Sequence, residues 1–169
     1  MPEARARKAA ARPSAVARKA VAVVEPPVEA QVLELLHGLR AEVTGVLGCL
    51  VATSDGLLVA ADAPELEAAQ LAALTSTMTA LARHAVEATR RGELLDATVR
   101  GTHGHLAVFA ISDVAVLAVI AHPDVASAWL NVKTRPVVAQ LITLSPRFQR
   151  FHAIPPPEPP PPTPTPTPR

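Results

Sequence analysis

Ser54, Asp55 and Gly56 lie in the run TSDGLLVA (53–60), between two aliphatic stretches, and they raise the first chemical question. A hydroxyl beside a carboxylate can serve nucleophilic chemistry when a base and an orienting group converge on it. His103 and His105 flank Gly104 in GTHGH. Residues two apart on a strand point the same way, so this pair could begin a metal site. Cys49 is the single cysteine, set in the apolar run GVLGCLVA.

Each candidate also has a structural account. No strand-to-helix elbow of the G-x-S-x-G type is present. Ser and Asp bond their own turn backbone and glycine supplies positive φ, so Ser54, Asp55 and Gly56 read as a turn, with no catalytic residue. The histidine pair falls at an expected loop tip without a third placed ligand, so no metal site is expected. His37 and His84 lie on helical runs, and His122 precedes Pro123 at a turn. Cys49 reads as a small buried hydrophobe. No run matches the phosphate loop G-x-x-x-x-G-K-[ST], and no G-x-G-x-x-G follows a strand, so no nucleotide cofactor is expected.

Composition narrows the classes further. With 169 residues and 49% hydrophobic content, the chain suits one sizeable core with tails. The net charge of +1 hides an asymmetry. Residues 1–24 carry six basic groups against Glu3, whereas residues 25–145 hold thirteen acidic and seven basic groups. An acidic core does not suit a phosphate backbone, and one Trp, three Phe and no Tyr give no platform for stacking bases. Specific nucleic-acid binding is therefore not expected. A lone cysteine fits a reducing compartment, and the aliphatic region 106–121 is split by Ser112 and Asp113, which argues against a spanning helix. A cytoplasmic protein is the expectation.

The elements follow from periodicity. Val28, Val32, Leu35, Leu36, Leu39 and Val43 repeat at helical spacing. Runs 46–52 and 57–60 flank the Ser-Asp-Gly turn as a hairpin. Residues 64–92 read as one long helix, with Pro64, Glu65 and Glu67 in its opening turn and Arg90, Arg91 and Gly92 at its close. Leu71, Leu74, Met78 and Leu81, continuing through Ala85, form its large apolar stripe, and the remaining surface is mostly Ala, Thr and Ser. Three strand-like runs follow at 94–100, 105–111 and 114–121, joined by connections short enough only for antiparallel neighbours. A last helix is expected from Asp124 through Val125, Trp129 and Val132, kinked or broken by Pro136.

The strands also order themselves. Runs 46–52, 105–111 and 114–121 are apolar on both alternating faces, as central strands are. In 94–100, Leu95, Ala97 and Val99 alternate with Asp96, Thr98 and Arg100, the pattern of an edge. The expected architecture is α+β: a five-stranded antiparallel sheet of order 2-1-5-4-3 with helices on both faces. Residues 1–27 are expected to be a disordered basic arm, 28–145 the domain, and 146–169 a disordered proline-rich tail.

Gly45 before the first strand, the strand-S-D-G-strand unit, the long helix after it and the meander LLDATVRGTHGHLAVFAISDVAVLAVIA together resemble the roadblock family, named for a dynein light chain. The resemblance spans about residues 28–145. It implies a non-enzymatic regulator that dimerises by pairing the long helix and the third strand, and that partners a bacterial Ras-like small GTPase. On that reading the dimer interface comprises Leu71, Leu74, Met78, Leu81, Ala85, Leu95, Ala97 and Val99. Arg83, His84, Glu87, Arg90 and Arg91 are candidate contacts for the GTPase. The alternative is a scaffold dimer that displays its basic arm, residues 1–24, and its proline-rich tail to other partners, the arm making weak contact with anionic surfaces.

Overall fold

The computed structural model describes residues 26–151. Its first helix, α1 (Val28–Glu42), buries Val28, Val32, Leu36 and Leu39 on one face. A turn at Gly45 leads into β1 (Val46–Thr53), which pairs antiparallel with β2 (Leu58–Asp62). Gly45 has φ 94°, and a Cβ there would stand 2.6 Å from Val125 Cγ2. Its carbonyl accepts from His122 N at 2.8 Å, so this glycine locks the entry to β1 against the exit of the last strand.

The long helix, α2 (Ala68–Ala88), joins β2 to a meander of β3 (Asp96–Gly101), β4 (Gly104–Ser112) and β5 (Ala115–Ala121). The meander returns β5 to the middle, beside β1, and the sheet order is β2-β1-β5-β4-β3, antiparallel throughout, as the face patterns predict. Helix α3 (Ser127–Leu144) and a 3₁₀ turn, η1 (Ser145–Phe151), complete the described chain.

The sheet divides two apolar layers. Cys49, Val51, Ala107, Phe109, Leu117 and Val119 point toward α1 and α3, where they meet Leu36, Leu39, Leu130 and Leu141. Leu50, Ala52, Val108, Val116 and Ala118 point the other way, toward α2. Burial of the Val, Leu and Phe side chains among them, each worth about 1.5–3 kcal/mol, drives the layering. Arg40 on α1 is ion-paired with the buried Asp62 of β2, which fixes that end of the sheet under α1.

Several local expectations are corrected. Helix α2 does not open at Pro64: Leu66 N bonds Ala63 O at 3.1 Å, so Pro64 occupies the second position of a β-turn, where its fixed φ also fits. Glu65 and Glu67 consequently precede the helix, whose first turn holds no acidic residue. Helix α3 likewise begins at Ser127, because Val125 N bonds His122 O at 3.1 Å around Pro123. Pro136 lies inside α3 without ending it. Pro136 is exposed, so the carbonyl it leaves unbonded can meet solvent, while Leu130, Thr134, Val137 and Leu141 anchor both halves to the core. Trp129 and Val132 lie on the outer face instead. The folded part also runs past Ser145: Phe148 of η1 is fully buried. The rest of the expected arm and tail, residues 1–25 and 152–169, lies outside the described residues.

Helix α2 ends in a two-bond motif. Arg90 N donates to Glu87 O and Arg91 N to Val86 O, both at 3.0 Å, with Arg90 itself at φ 56°. That left-handed position favours glycine, because a side chain there crowds the backbone. Arg90→Gly is therefore expected to raise stability by about 0.5–1 kcal/mol, read as a higher urea midpoint at unchanged slope.

Candidate functional site

The Ser-Asp-Gly turn is built as a turn. Thr53 N donates to Leu57 O at 2.8 Å and Gly56 N to Thr53 O at 3.0 Å. Thr53 Oγ1 bonds the Asp55 carboxylate and accepts from Leu57 N at 3.0 Å. Gly56 has φ 92°, and a Cβ there would meet Ala73 Cα at 3.2 Å, so the turn lies directly under α2. Asp55 and Ser54 are exposed, and Ser76 Oγ of α2 donates to Thr53 O at 2.8 Å. The Ser76–Thr53 bond and the close approach of Gly56 to Ala73 hold α2 on the hairpin.

The other candidate chemical residues are dispersed. Cys49 is fully buried, its Sγ 3.4 Å from Leu36 O, and its thiol is pushed up to about 12 by burial and secondarily by Asp62, with Arg40 opposing. His103 is exposed in the short turn between β3 and β4. His105, which opens the expected strand run 105–111 although GTHGH also reads as a loop tip, lies in β4, where Gly101 and Gly104 already pair across the hairpin. It is 3% exposed, and neither ring nitrogen has a hydrogen-bond partner among the described residues. Among those residues no group of three His, Cys, Asp or Glu is placed to hold a metal. No helix of theirs is long and apolar enough to cross a membrane.

What stands out is the face carried by α2. The side it turns to the sheet is made of Ala72, Thr75, Ser76 and Thr79, all buried. Small side chains let the helix settle close to β1 and β5, with Leu71 and Met78 packed at the margin of that layer and Leu74 and Leu81 left outside. Leu74 is 57% and Leu81 67% exposed, with Met78 and Leu71 half-buried and Ala85 exposed. Helix α2 sits chiefly over β1 and β5. The β3 end of the same sheet face is consequently less covered, leaving Val99 53% and Leu95 74% exposed beside half-buried Ala97 and Leu106. Leu95 just precedes β3, to which it belongs by its bond from Ala110 N at 3.1 Å. A large apolar stripe and an apolar strand edge thus share one side of the molecule, the kind of surface that marks an interaction site.

Arg83, one of the candidate polar contacts, is already engaged. Its guanidinium bonds Asp113 at 2.9 Å and the Ser112 carbonyl at 2.7 Å, tying α2 to the β4–β5 turn. With Glu87, Glu93, Leu95 and Ile142 it lines a cleft of about 530 Å³. His84, Arg90 and Arg91 are exposed and do not line that cleft.

The Roadblock/LC7 domain model matches residues 32–121, from the middle of α1 to the end of β5. The chain belongs to the Roadblock/LC7 family. A solved Roadblock/LC7 domain from Streptomyces avermitilis superposes with a TM-score of 0.61 at 23% identity, covering 69% of this chain and 96% of its own. MglB of Myxococcus xanthus gives 0.63 at 13% identity over 69% of this chain and 96% of that one. The gliding protein MglB from Thermus thermophilus gives 0.64 at 13% identity over 74% and 96%. These likenesses establish the roadblock fold. Comparison with curated proteins gives no match.

In this Roadblock/LC7 domain the lone cysteine serves packing. The folded thiol is raised above its unfolded value, so it contributes stability that is fully present below about 9 and is lost as pH rises toward about 12. At pH 8 the native protein is expected to react with a thiol reagent only at the rate of unfolding, and at once in denaturant. Rapid labelling of the native protein would contradict this placement.

Proposed function

We propose that the domain acts as a dimeric, non-enzymatic regulator or adaptor. Two copies pair through α2 and β3, and the dimer binds a bacterial Ras-like small GTPase and modulates its nucleotide state. The observation that carries this reading is the inverted packing of α2, whose small face is in the core while Leu74 and Leu81 stand in solvent. A helix normally buries its larger apolar side chains, since each such burial is worth more than an alanine's. Association is the economical way to cover them. Among the described residues β3 pairs on one side only, which supports the same pairing, because a second strand would satisfy the backbone groups of its outer edge. A solved MglB of this fold has a tetrameric arrangement.

The family resemblance supplies the GTPase. Regulation requires that the dimer bind the two nucleotide states unequally, because a partner held equally in both is not shifted. Glu87, with the exposed His84, Arg90 and Arg91, borders the apolar face and would supply polar contacts at its rim. Arg83 would contribute to the same cleft while remaining bound to Asp113.

A scaffold role has one specific support. Arg150 pairs with Glu29 at 2.5 Å and Arg147 Nη2 donates to Pro26 O at 3.4 Å, so the chain enters and leaves the domain at the same end.

Leu74→Asp and Leu81→Asp are expected to convert a dimer to a monomer by sedimentation velocity without loss of helical signal. In parallel, immobilised full-length protein is exposed to native lysate loaded with GDP or with a non-hydrolysable GTP analogue. The regulator reading predicts recovery of a small GTPase mainly in one nucleotide state, and no recovery by the monomeric variants. Equal recovery in both states, or none, would contradict it.

A further inference from the structure

β3 ends the sheet, and the phase of its free edge follows from its pairing with β4. Leu95 accepts from Ala110 N, so Leu95, Ala97 and Val99 direct their N–H and C=O groups at β4. By alternation, Asp96, Thr98 and Arg100 direct theirs outward. Ala97 packs with the α2-side layer, so the side chains of Asp96, Thr98 and Arg100 share the opposite face of the sheet. All three are exposed, and among the described residues neither Asp96 nor Arg100 is in an ion pair.

We propose that β3 pairs antiparallel with β3 of a second copy with Thr98 on the two-fold axis, so that Asp96 of each copy faces the partner's Arg100. This rests on the dimer reading above and adds its register and its preference for a second copy of this same chain. Outward-directed residues must face one another for the backbone bonds to form, so an unbulged two-fold pairing is centred on a residue and not between two. Centring on Asp96 opposes two carboxylates, and centring on Arg100 opposes two guanidinium groups. Centring on Ala97 sets Asp96 against threonine and Arg100 against Leu94. Centring on Val99 sets Arg100 against Thr98 and leaves Asp96 facing Thr102. Only the Thr98 centre joins opposite charges, and it does so twice. It places Thr98 against the partner's Thr98, a favourable cross-strand pair. On the α2 side the same register sets exposed Val99 against the partner's Ala97, continuing the apolar layer without a clash of large side chains.

The motif D-A-T-V-R (96–100) is therefore self-complementary under a two-fold axis. A partner strand lacking an acidic and a basic residue four apart in this order would not match it, which sets the preference for the homodimer.

The test is a charge exchange in the full-length chain, read by sedimentation velocity and native mass spectrometry. Asp96→Arg opposes arginines at both pair positions, and Arg100→Asp opposes aspartates at both. Each single variant is expected to self-associate about tenfold more weakly than the wild type. Mixed in equal amounts, the two variants restore both opposite-charge pairs and should form a 1:1 heterodimer, and Asp96→Arg with Arg100→Asp in one chain should recover the homodimer. Single variants that dimerise as the wild type does would overturn the register and leave the dimer standing. Weakened variants that neither cross-associate nor recover in the double exchange would overturn it equally. A monomeric wild type would remove the dimer reading itself.

Discussion

A sheet whose central strands are apolar on both faces has to be covered on both faces, and the described residues hold too few helices to do so evenly. Helices α1 and α3 share one side and close it over Phe109, Leu117 and Val119. On the other side α2 is the one helix among the described residues, and it lies mainly over β1 and β5. The uncovered remainder, near β3, follows from that arithmetic of layers. Everything distinctive about the molecule, from the outward leucines of α2 to the unpaired edge of β3, is a consequence of this asymmetry.

The asymmetry is held in place by close approaches. Ala72, Thr75, Ser76 and Thr79 bring α2 near the sheet, and Ser76 bonds the end of β1. Gly56 keeps the hairpin turn low enough to pass under Ala73, and Gly45 does the equivalent between β1 and the start of α3. A larger residue at any of these contacts would lift a helix off its strands and forfeit dispersion contacts along its length. Of the groups that look most chemical in the sequence, Asp55 bonds within its own turn and Cys49 packs in the core.

The sheet order is legible in the sequence because it depends on which strands are apolar on both faces, and Leu95, Ala97 and Val99 against Asp96, Thr98 and Arg100 mark an edge without ambiguity. The turns before α2 and α3 are not, because proline suits both the first turn of a helix and the second position of a β-turn, and only tertiary context chooses. Pro136 reads as a kink or a break, and no break results, since a missing donor costs more in isolation than on an exposed helix face anchored at both ends. His105 reads both as the start of the strand run 105–111 and as part of a loop tip, because two glycines closing a hairpin, Gly101 and Gly104, look like loop in a one-dimensional pattern. Phe148 carries a readable signal, an aromatic residue directly after the last helix, but its proline-rich surroundings obscure it. The role of Arg83 depends on Asp113, thirty residues away in sequence, and no local pattern pairs them.

The central claim is that the α2 and β3 face is a surface for a second copy of the chain. Residue-resolved hydrogen exchange of the full-length protein over a dilution series tests it most directly, because the two sets of alternating amides in β3 differ in where they point. Ala97 and Val99 bond β4 and should be protected at every concentration. The outward amides of Asp96, Thr98 and Arg100 should be protected at high concentration and lose protection together on dilution. Fast exchange of those three amides at all concentrations would contradict the account.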